Sequence, residues 1–532
     1  MRRIAVVIAL LLIAVSIWPV AHATAGRSSS AAPATAGTLQ ADFNNDGADD
    51  LAVGVPLEDV GSAVDAGAVN VLYGSGGGLS SAGSQQFIQP VSAAEPGDQF
   101  GSALASGDFD NDGFADLAVG APLEDVGGTT DAGAVSVLYG SADGLTTTGA
   151  RTFTQVGSAA EINDEFGLAL AAGDFDNDGF ADLAAGAPEE SVGSIFVAGA
   201  VSVLHGSDAG LTTTGGQLFT QPVSAVEDDD RFGFALAAGD FDNDGFADLG
   251  AGAPTEDVGR TTNGGAVSAL YGSAGGLSTA GAQTFVQPVS AVEAFDFFGF
   301  ALAAGDFDGD AFVDLAAGAP FEDVGSILTA GAVSALYGSA GGLTTAGAQT
   351  FVQPVSAVEE GDNFGWAVAS GDFNNDTFAD LGVGAPFEDV GSTPDAGAIS
   401  ALYGSGGGLT TTGAQTFTQV GGAVEAGDAF GFALASGDFN SNDFADLAAG
   451  APFEDVGSIP IAGAVSALYG SAGRLTTAGG QLFHQNTAGV PGVAEADDSF
   501  GAALAAGESG PTPTAASSAQ SSSRAGRAAP RR

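Results

Sequence analysis

The residues best placed to do chemistry are the aspartates of a short loop, DFDNDGFAD, in which Asp108, Asp110, Asp112 and Asp116 stand at positions 1, 3, 5 and 9. Their oxygens, with a backbone carbonyl at position 7, can converge on one hard cation, while Gly113 at position 6 permits the sharp turn. Calcium suits such a set best, since it takes about six to eight oxygen ligands. An EF-hand would need a bidentate Glu at position 12. Val119 stands there instead, and the flanking segments read as strands.

The loop occurs seven times. Asp174, Asp176, Asp178 and Asp182 form a complete copy, as do Asp240, Asp242, Asp244 and Asp248. The first copy has Asp42, Asn44, Asp46 and Asp50. The fifth has Asp306, Asp308, Asp310 and Asp314, with Ala311 where Gly is expected. The sixth has Asp372, Asn374, Asp376 and Asp380 with Thr377 there, and the seventh Asp438, Asn440, Asn442 and Asp446 with Asp443. The alternative is that Asp and Asn only shape tight turns. Four carboxylates crowded together without a counter-ion would repel one another, which argues against that reading for the complete copies. All seven sets are therefore expected to ligate Ca²⁺, least securely in the seventh, where two carboxylates remain.

Successive loops begin 66 residues apart, and each repeat carries the same features in order: a Phe-Gly pair, the acidic loop and a Gly-Ala-Pro or related turn. A unit of this length accommodates one four-stranded sheet. Between Phe100 and Phe166 the sequence predicts strands over about 101–109, 115–121, 134–139 and 151–156, bounded by Gly, Pro, Asn and Asp. No uninterrupted helical stripe is present. The expected fold is all-β, a seven-bladed β-propeller of four-stranded antiparallel blades. The first acidic loop lacks a preceding Phe-Gly pair, and the last pair, Phe500-Gly501, lacks a following loop. The two ends are thus expected to share a blade, although 38–41 could supply the missing strand locally. Phe430 and Phe500 are 70 residues apart, four more than elsewhere, which reads as slack for closure.

The order Asp-x-Phe-Gly, DFDNDGFADL, GAP and AGAVSVLYGS resembles the FG-GAP repeats that build the seven-bladed propeller of integrin alpha chains. It covers residues 37–507. The aspartate two places before Phe-Gly is present at Asp98, Asp164, Asp230, Asp296, Asp362, Asp428 and Asp498. The resemblance implies binding of extracellular protein ligands. Integrin leg domains, an inserted domain and a membrane span are absent from the pattern, so integrin signalling does not carry over.

Composition points the same way. The chain has 65 acidic residues against 11 arginines, no lysine and no cysteine, for a formal net charge of −54. Nucleic acid and anionic membrane surfaces should repel it. Arg2 and Arg3 precede an apolar run from Ile4 to Ile17, and Ala21-His22-Ala23 makes a small-x-small cleavage site, so residues 1–23 read as a secretory signal peptide. Residues 24–36 read as a Ser/Ala-rich linker and 508–532 as a disordered Ser/Ala/Pro/Arg tail.

Catalysis finds little to use. After the signal, the histidines are His205 and His484, both read as strand residues substituted in register. The Glu-Asp pairs from Glu58-Asp59 to Glu454-Asp455 recur in six repeats, whereas an active site needs one asymmetric constellation. Trp366 reads as core. The loops after GAP vary most, and Ile195, Phe196, Val197, Ile327, Leu328, Ile459, Pro460 and Ile461 are apolar where other repeats are polar. They are expected either to form a partner patch or to pack on a neighbouring blade. The chain is thus expected to be a secreted, monomeric, calcium-binding module without catalysis that binds an extracellular protein or glycan ligand. The alternatives are a carbohydrate-acting extracellular enzyme or its non-catalytic subunit, and a surface repeat protein without a specific ligand.

Overall fold

The computed structural model describes residues 41–507 except 224–225, 290–291 and 355–357. The segments read as signal peptide, linker and tail lie outside these residues, and so do 38–40. All 28 strands found among the described residues fall into seven four-stranded antiparallel sheets. In the second blade the strands are Ala103–Gly107, Asp116–Ala121, Ala134–Tyr139 and Thr146–Phe153, paired in that order. The first strand of each blade packs beside the first strands of both neighbours, which closes the cycle of a β-propeller.

The inner three strands are buried throughout and read as near-continuous Ala, Val, Leu and Gly, as strands covered on both faces must. Small residues let adjacent blades approach. A Cβ on Gly120 would collide with the carbonyl oxygen of Gly167, the glycine of the next blade's Phe-Gly pair. The fourth strand starts earlier than the sequence suggests, at Thr146 rather than about 151. Its first residues are polar and exposed, as suits an outer edge. A bulge shifts the register between Val137↔Arg151 and Tyr139↔Thr146, which hides the alternation expected of a half-buried strand.

Closure uses both ends of the chain. Ala503–Ala505 pairs with Leu51–Val55 and supplies the innermost strand of the first blade. The longer final spacer acts as a clasp rather than as slack. It folds into turns with Thr487 N–H donating to His484 O (2.8 Å) and Val490 N–H to Thr487 O (3.0 Å). It then accepts hydrogen bonds from blade one, from Asn70 Nδ2 to Pro491 O (2.9 Å) and from Ser81 Oγ to Ala488 O (2.8 Å).

In each antiparallel sheet the acidic loop and the turn between the third and fourth strands share one end, and the GAP loop occupies the other. At the acidic end a circle of main-chain bonds joins neighbouring blades. Ala115 N–H donates to Asp42 O (3.1 Å), Ala181 N–H to Asp108 O (3.0 Å), and so on around to Asp49 N–H and Asp438 O (3.0 Å). The acidic loops therefore form one closed collar, held in register by the backbone.

Candidate metal centres

Within each loop the first aspartate organises the turn. Asp108 Oδ1 accepts from Asp112 N–H (3.1 Å) and Oδ2 from Gly113 N–H (3.1 Å). Asp42, Asp174, Asp240, Asp306, Asp372 and Asp438 do the same with their own positions 5 and 6. Position 4 lies in the left-handed region in every copy, and is Asn in five of them, from Asn45 (φ 55°) to Asn375 (φ 55°). Asn tolerates this region better than other side chains, and the sequence reading overlooked it. Position 6 is also left-handed. Ala311 (φ 73°), Thr377 (φ 78°) and Asp443 (φ 67°) hold there a conformation that suits Gly.

The aspartate at position 9 has a second task. Asp116 Oδ2 accepts from Phe109 N–H (2.9 Å) and Oδ1 from Gly140 N–H (2.8 Å), so it ties the loop to the end of the third strand. Asp50, Asp182, Asp248, Asp314 and Asp380 repeat this pair of bonds, and Asp446 keeps the bond to the third strand, its Oδ1 accepting from Gly470 N–H (2.8 Å). Burial pushes Asp116, Asp248, Asp314, Asp380 and Asp446 up to about 8 and Asp50 up to about 9, with neighbouring loop carboxylates adding to the rise. Left without a cation, these groups favour the neutral form.

The copies differ in how far their carboxylates converge. Positions 1, 3 and 9 bring ligand oxygens within 4.8 Å of one another in Asp108–Asp110–Asp116, Asp240–Asp242–Asp248 and Asp306–Asp308–Asp314. Asp242 Oδ1 is shielded from solvent and lacks a hydrogen-bond partner, as a ligand atom awaiting a cation would be. These donor sets fit a hard cation, with Asp110, Asp242 and Asp308 the least committed of their carboxylates. In copies six and seven the amide at position 3 takes up the position-9 carboxylate instead. Asn374 Nδ2 donates to Asp380 Oδ2 (3.1 Å) and Asn440 Nδ2 to Asp446 Oδ2 (2.9 Å). In the first copy Asn44 Oδ1 remains buried and unpartnered, aligning it with the cation-competent copies.

The third copy is different. Asp174, Asp176 and Asp178 converge, and separately Asp176 and Asp182 converge with His205. His205 ends the strand Ala200–His205 and pairs with Thr212 as Tyr139 pairs with Thr146, a strand residue substituted in register as expected, but the sequence reading did not connect it to the loop. His484 falls just beyond the strand Thr476–Phe483.

At the opposite end, Phe196 is 68% exposed, and Leu328, Pro460 and Ile461 are exposed too, whereas Ile195, Val197, Ile327 and Ile459 are half-buried. Trp366 is only 1% exposed and packs between Phe300 (4.9 Å) and Phe432 (5.4 Å), in accord with a core role. The aspartates before Phe-Gly bury their carboxyls at the GAP end. Asp98 Oδ2 accepts from Glu95 N–H (2.6 Å).

Curated relatives match parts of the chain. Phosphatidylinositol-glycan-specific phospholipase D of Rattus norvegicus is 37% identical over 175 residues, 32% of this chain and 20% of that protein. Integrin alpha-PS2 of Drosophila melanogaster is 32% identical over 224 residues, 41% of this chain and 15% of that protein. Integrin alpha-V of Gallus gallus is 31% identical over 246 residues, 44% of this chain and 21% of that protein. The chain thus spans about a fifth or less of the length of these relatives. A solved Bacillus licheniformis rhamnogalacturonan lyase superposes with a TM-score of 0.35 at 11% identity, over 90% of this chain and 76% of that one, too loosely to inform function. The FG-GAP repeat family matches at residues 36–72, 100–138, 166–204, 232–270, 298–336, 364–402 and 430–468, once in every blade. With half of its residues inside those seven matches, the chain belongs to the FG-GAP repeat family.

Proposed function

We propose that this protein is a secreted, calcium-stabilised binding module that presents the GAP end of its propeller to an extracellular protein or glycan. The carrying observation is the division of labour between its ends. The cation-competent loops lock together into a collar at one end, while the loops that vary between repeats project from the other. Cations would neutralise the collar and stiffen it, leaving the variable loops free to meet a partner. Relatives named as integrin alpha chains support an extracellular setting. The acid pairs recur from blade to blade, which favours a repeated structural role over a single catalytic centre, even though phospholipases D are among the relatives.

Thermal unfolding of the full chain in excess EDTA and in millimolar Ca²⁺, with a count of bound ions, tests the first half. A higher melting temperature with at least three ions bound is expected, and no shift with no bound ion would overturn it. Binding to immobilised matrix proteins and glycan arrays tests the second half. Phe196→Asp should abolish Ca²⁺-dependent capture without lowering the melting temperature. Capture that is indifferent to both Ca²⁺ and Phe196 would overturn the assignment of the GAP end.

A further inference from the structure

We propose that the third blade carries a site for a first-row transition-metal dication of the Zn²⁺ class, ligated by His205 Nδ1, Asp176 and Asp182. The proposal rests on the reading of the acidic loops as cation sites and adds a different metal at one of them.

Six blades have Tyr where His205 stands. In five of them the tyrosine hydroxyl accepts a hydrogen bond from the next blade's Leu N–H, as from Leu145 to Tyr73 (3.1 Å) and from Leu343 to Tyr271 (3.0 Å). The same hydroxyls donate to a glutamine of their own blade, as Tyr73 does to Gln85. His205 forms neither bond, and Gln217, at the position of Gln85, is left with a buried, unpartnered Oε1. The hydroxyl of Tyr139 is buried and unpartnered too, so what sets His205 apart is where its ring points.

It has turned into the acidic loop. His205 Nδ1 is shielded from solvent, makes no hydrogen bond of good geometry, and faces Asp182 Oδ1 at 3.2 Å and Asp176 Oδ2 at 3.6 Å. Adjacent ligands held about 2.0–2.2 Å from one ion lie about 2.8–3.6 Å apart in octahedral or tetrahedral sites, so both separations suit a shared metal. Asp182 is fixed for the task by its bonds from Phe175 N–H (3.1 Å) and Gly206 N–H (2.9 Å), and each of its oxygens keeps a second lone pair. Asp176 stays partly open to solvent, which provides an entry path.

The donor set decides the metal class. Calcium takes oxygen ligands at longer distances, whereas imidazole nitrogen suits Zn²⁺ and its first-row neighbours. The third copy is also where the convergence of positions 1, 3 and 9 gives way to one of positions 3 and 9 with the imidazole. Asp176 belongs to both groups of that loop and would be shared, so Zn²⁺ and Ca²⁺ should compete there and nowhere else on the collar.

The test is Zn²⁺ titration of the full chain, prepared without a polyhistidine tag, in millimolar Ca²⁺, beside a Ca²⁺ count on the same preparation. Wild type and His484→Thr should each take up one Zn²⁺. His205→Tyr, which restores the residue of the other blades, should lose that equivalent or bind it at least about tenfold more weakly. Equal Zn²⁺ uptake by wild type and His205→Tyr, or none by either, would overturn the inference. The Ca²⁺ count separates this from failure of the wider reading, because bound Ca²⁺ without bound Zn²⁺ sinks the transition-metal site alone. Should His205→Tyr misfold, Co²⁺ added to wild type gives a second answer. It should broaden the imidazole NMR signals of one histidine selectively, and broadening of none, or of all alike, overturns the site.

Discussion

Asp110 and Asp116 stand six residues apart in one loop, yet they do different work. Asp116 accepts two buried backbone N–H groups, so Asp116→Ala strands both donors. At about 1–3 kcal/mol for each unsatisfied group, the loss should reach about 2–6 kcal/mol and should already appear in EDTA, where no ion is bound, read by urea unfolding. Asp110 accepts one bond, from Asp112 N–H (3.2 Å), and copies six and seven already tolerate Asn at its position. Asp110→Ala, which removes the ligand oxygen altogether, should therefore leave stability in EDTA within about 0.5 kcal/mol while removing one bound Ca²⁺, counted directly. Spacing made the ligand candidates legible, because each needs an oxygen at a fixed offset. It did not expose the backbone task of position 9 or the left-handed Asn at position 4, which depend on where N–H groups point. His205 escaped for a similar reason, since its partners lie 29 and 23 residues away along the chain and meet it only once the hairpin forms.

At the scale of the blade, two features govern how neighbours fit. Gly120 faces the carbonyl of Gly167 with no room for a side chain, so Gly120→Ala should overpack the seam and cost about 1–3 kcal/mol or more, seen as a lower urea midpoint. The second feature is a pair of carboxyls beside each seam. Glu124 accepts from Gln89 of the preceding blade (2.8 Å) and shares a hydrogen bond with Asp98, and burial holds Asp98 well above the usual carboxylate range. Asp230 with Glu256 and Asp362 with Glu388 repeat the arrangement, and burial pushes Asp498, near Glu58, up to about 7. A carboxyl whose folded pKa is raised binds its proton more tightly folded than unfolded. Its stabilising share is complete below the unfolded value near 4 and is lost as pH rises through the folded value. Melting temperature in EDTA should accordingly fall between pH 5 and pH 8, and a flat or rising profile would contradict the pairing. The inner strands were readable because their apolar runs match burial on both faces. The outer strand was misplaced because its polar start and its bulge erase the two-residue period.

For the molecule as a whole, closure is the feature on which every blade depends, and counting repeats sufficed to anticipate it: seven loops and seven Phe-Gly pairs match only if the last pair serves the first blade. What counting could not give was the clasp, because the extra residues before Phe500 carry no repeat signature and act through Asn70 and Ser81 on the other side of the seam. The seam also has its own polar lock. Asp49 stands where five other loops have Ala, and its Oδ2 accepts from Asp438 N–H (2.8 Å), joining the last acidic loop to the first. Ending the chain after residue 498 would remove Phe500, Gly501 and Ala503–Ala505. Gly501 N–H would no longer reach Gly54 O (3.0 Å), and the Leu51–Val55 strand would become an open edge flanking an unfilled place in the ring. Ending it after residue 507 leaves each of those contacts in place. The shorter chain should lose its cooperative melting transition and elute as aggregates on size exclusion, even in Ca²⁺, while the longer should melt within about 2 °C of the full chain. Equal behaviour of the two would mean that the ring holds without its last strand, and that the collar alone supplies the closure.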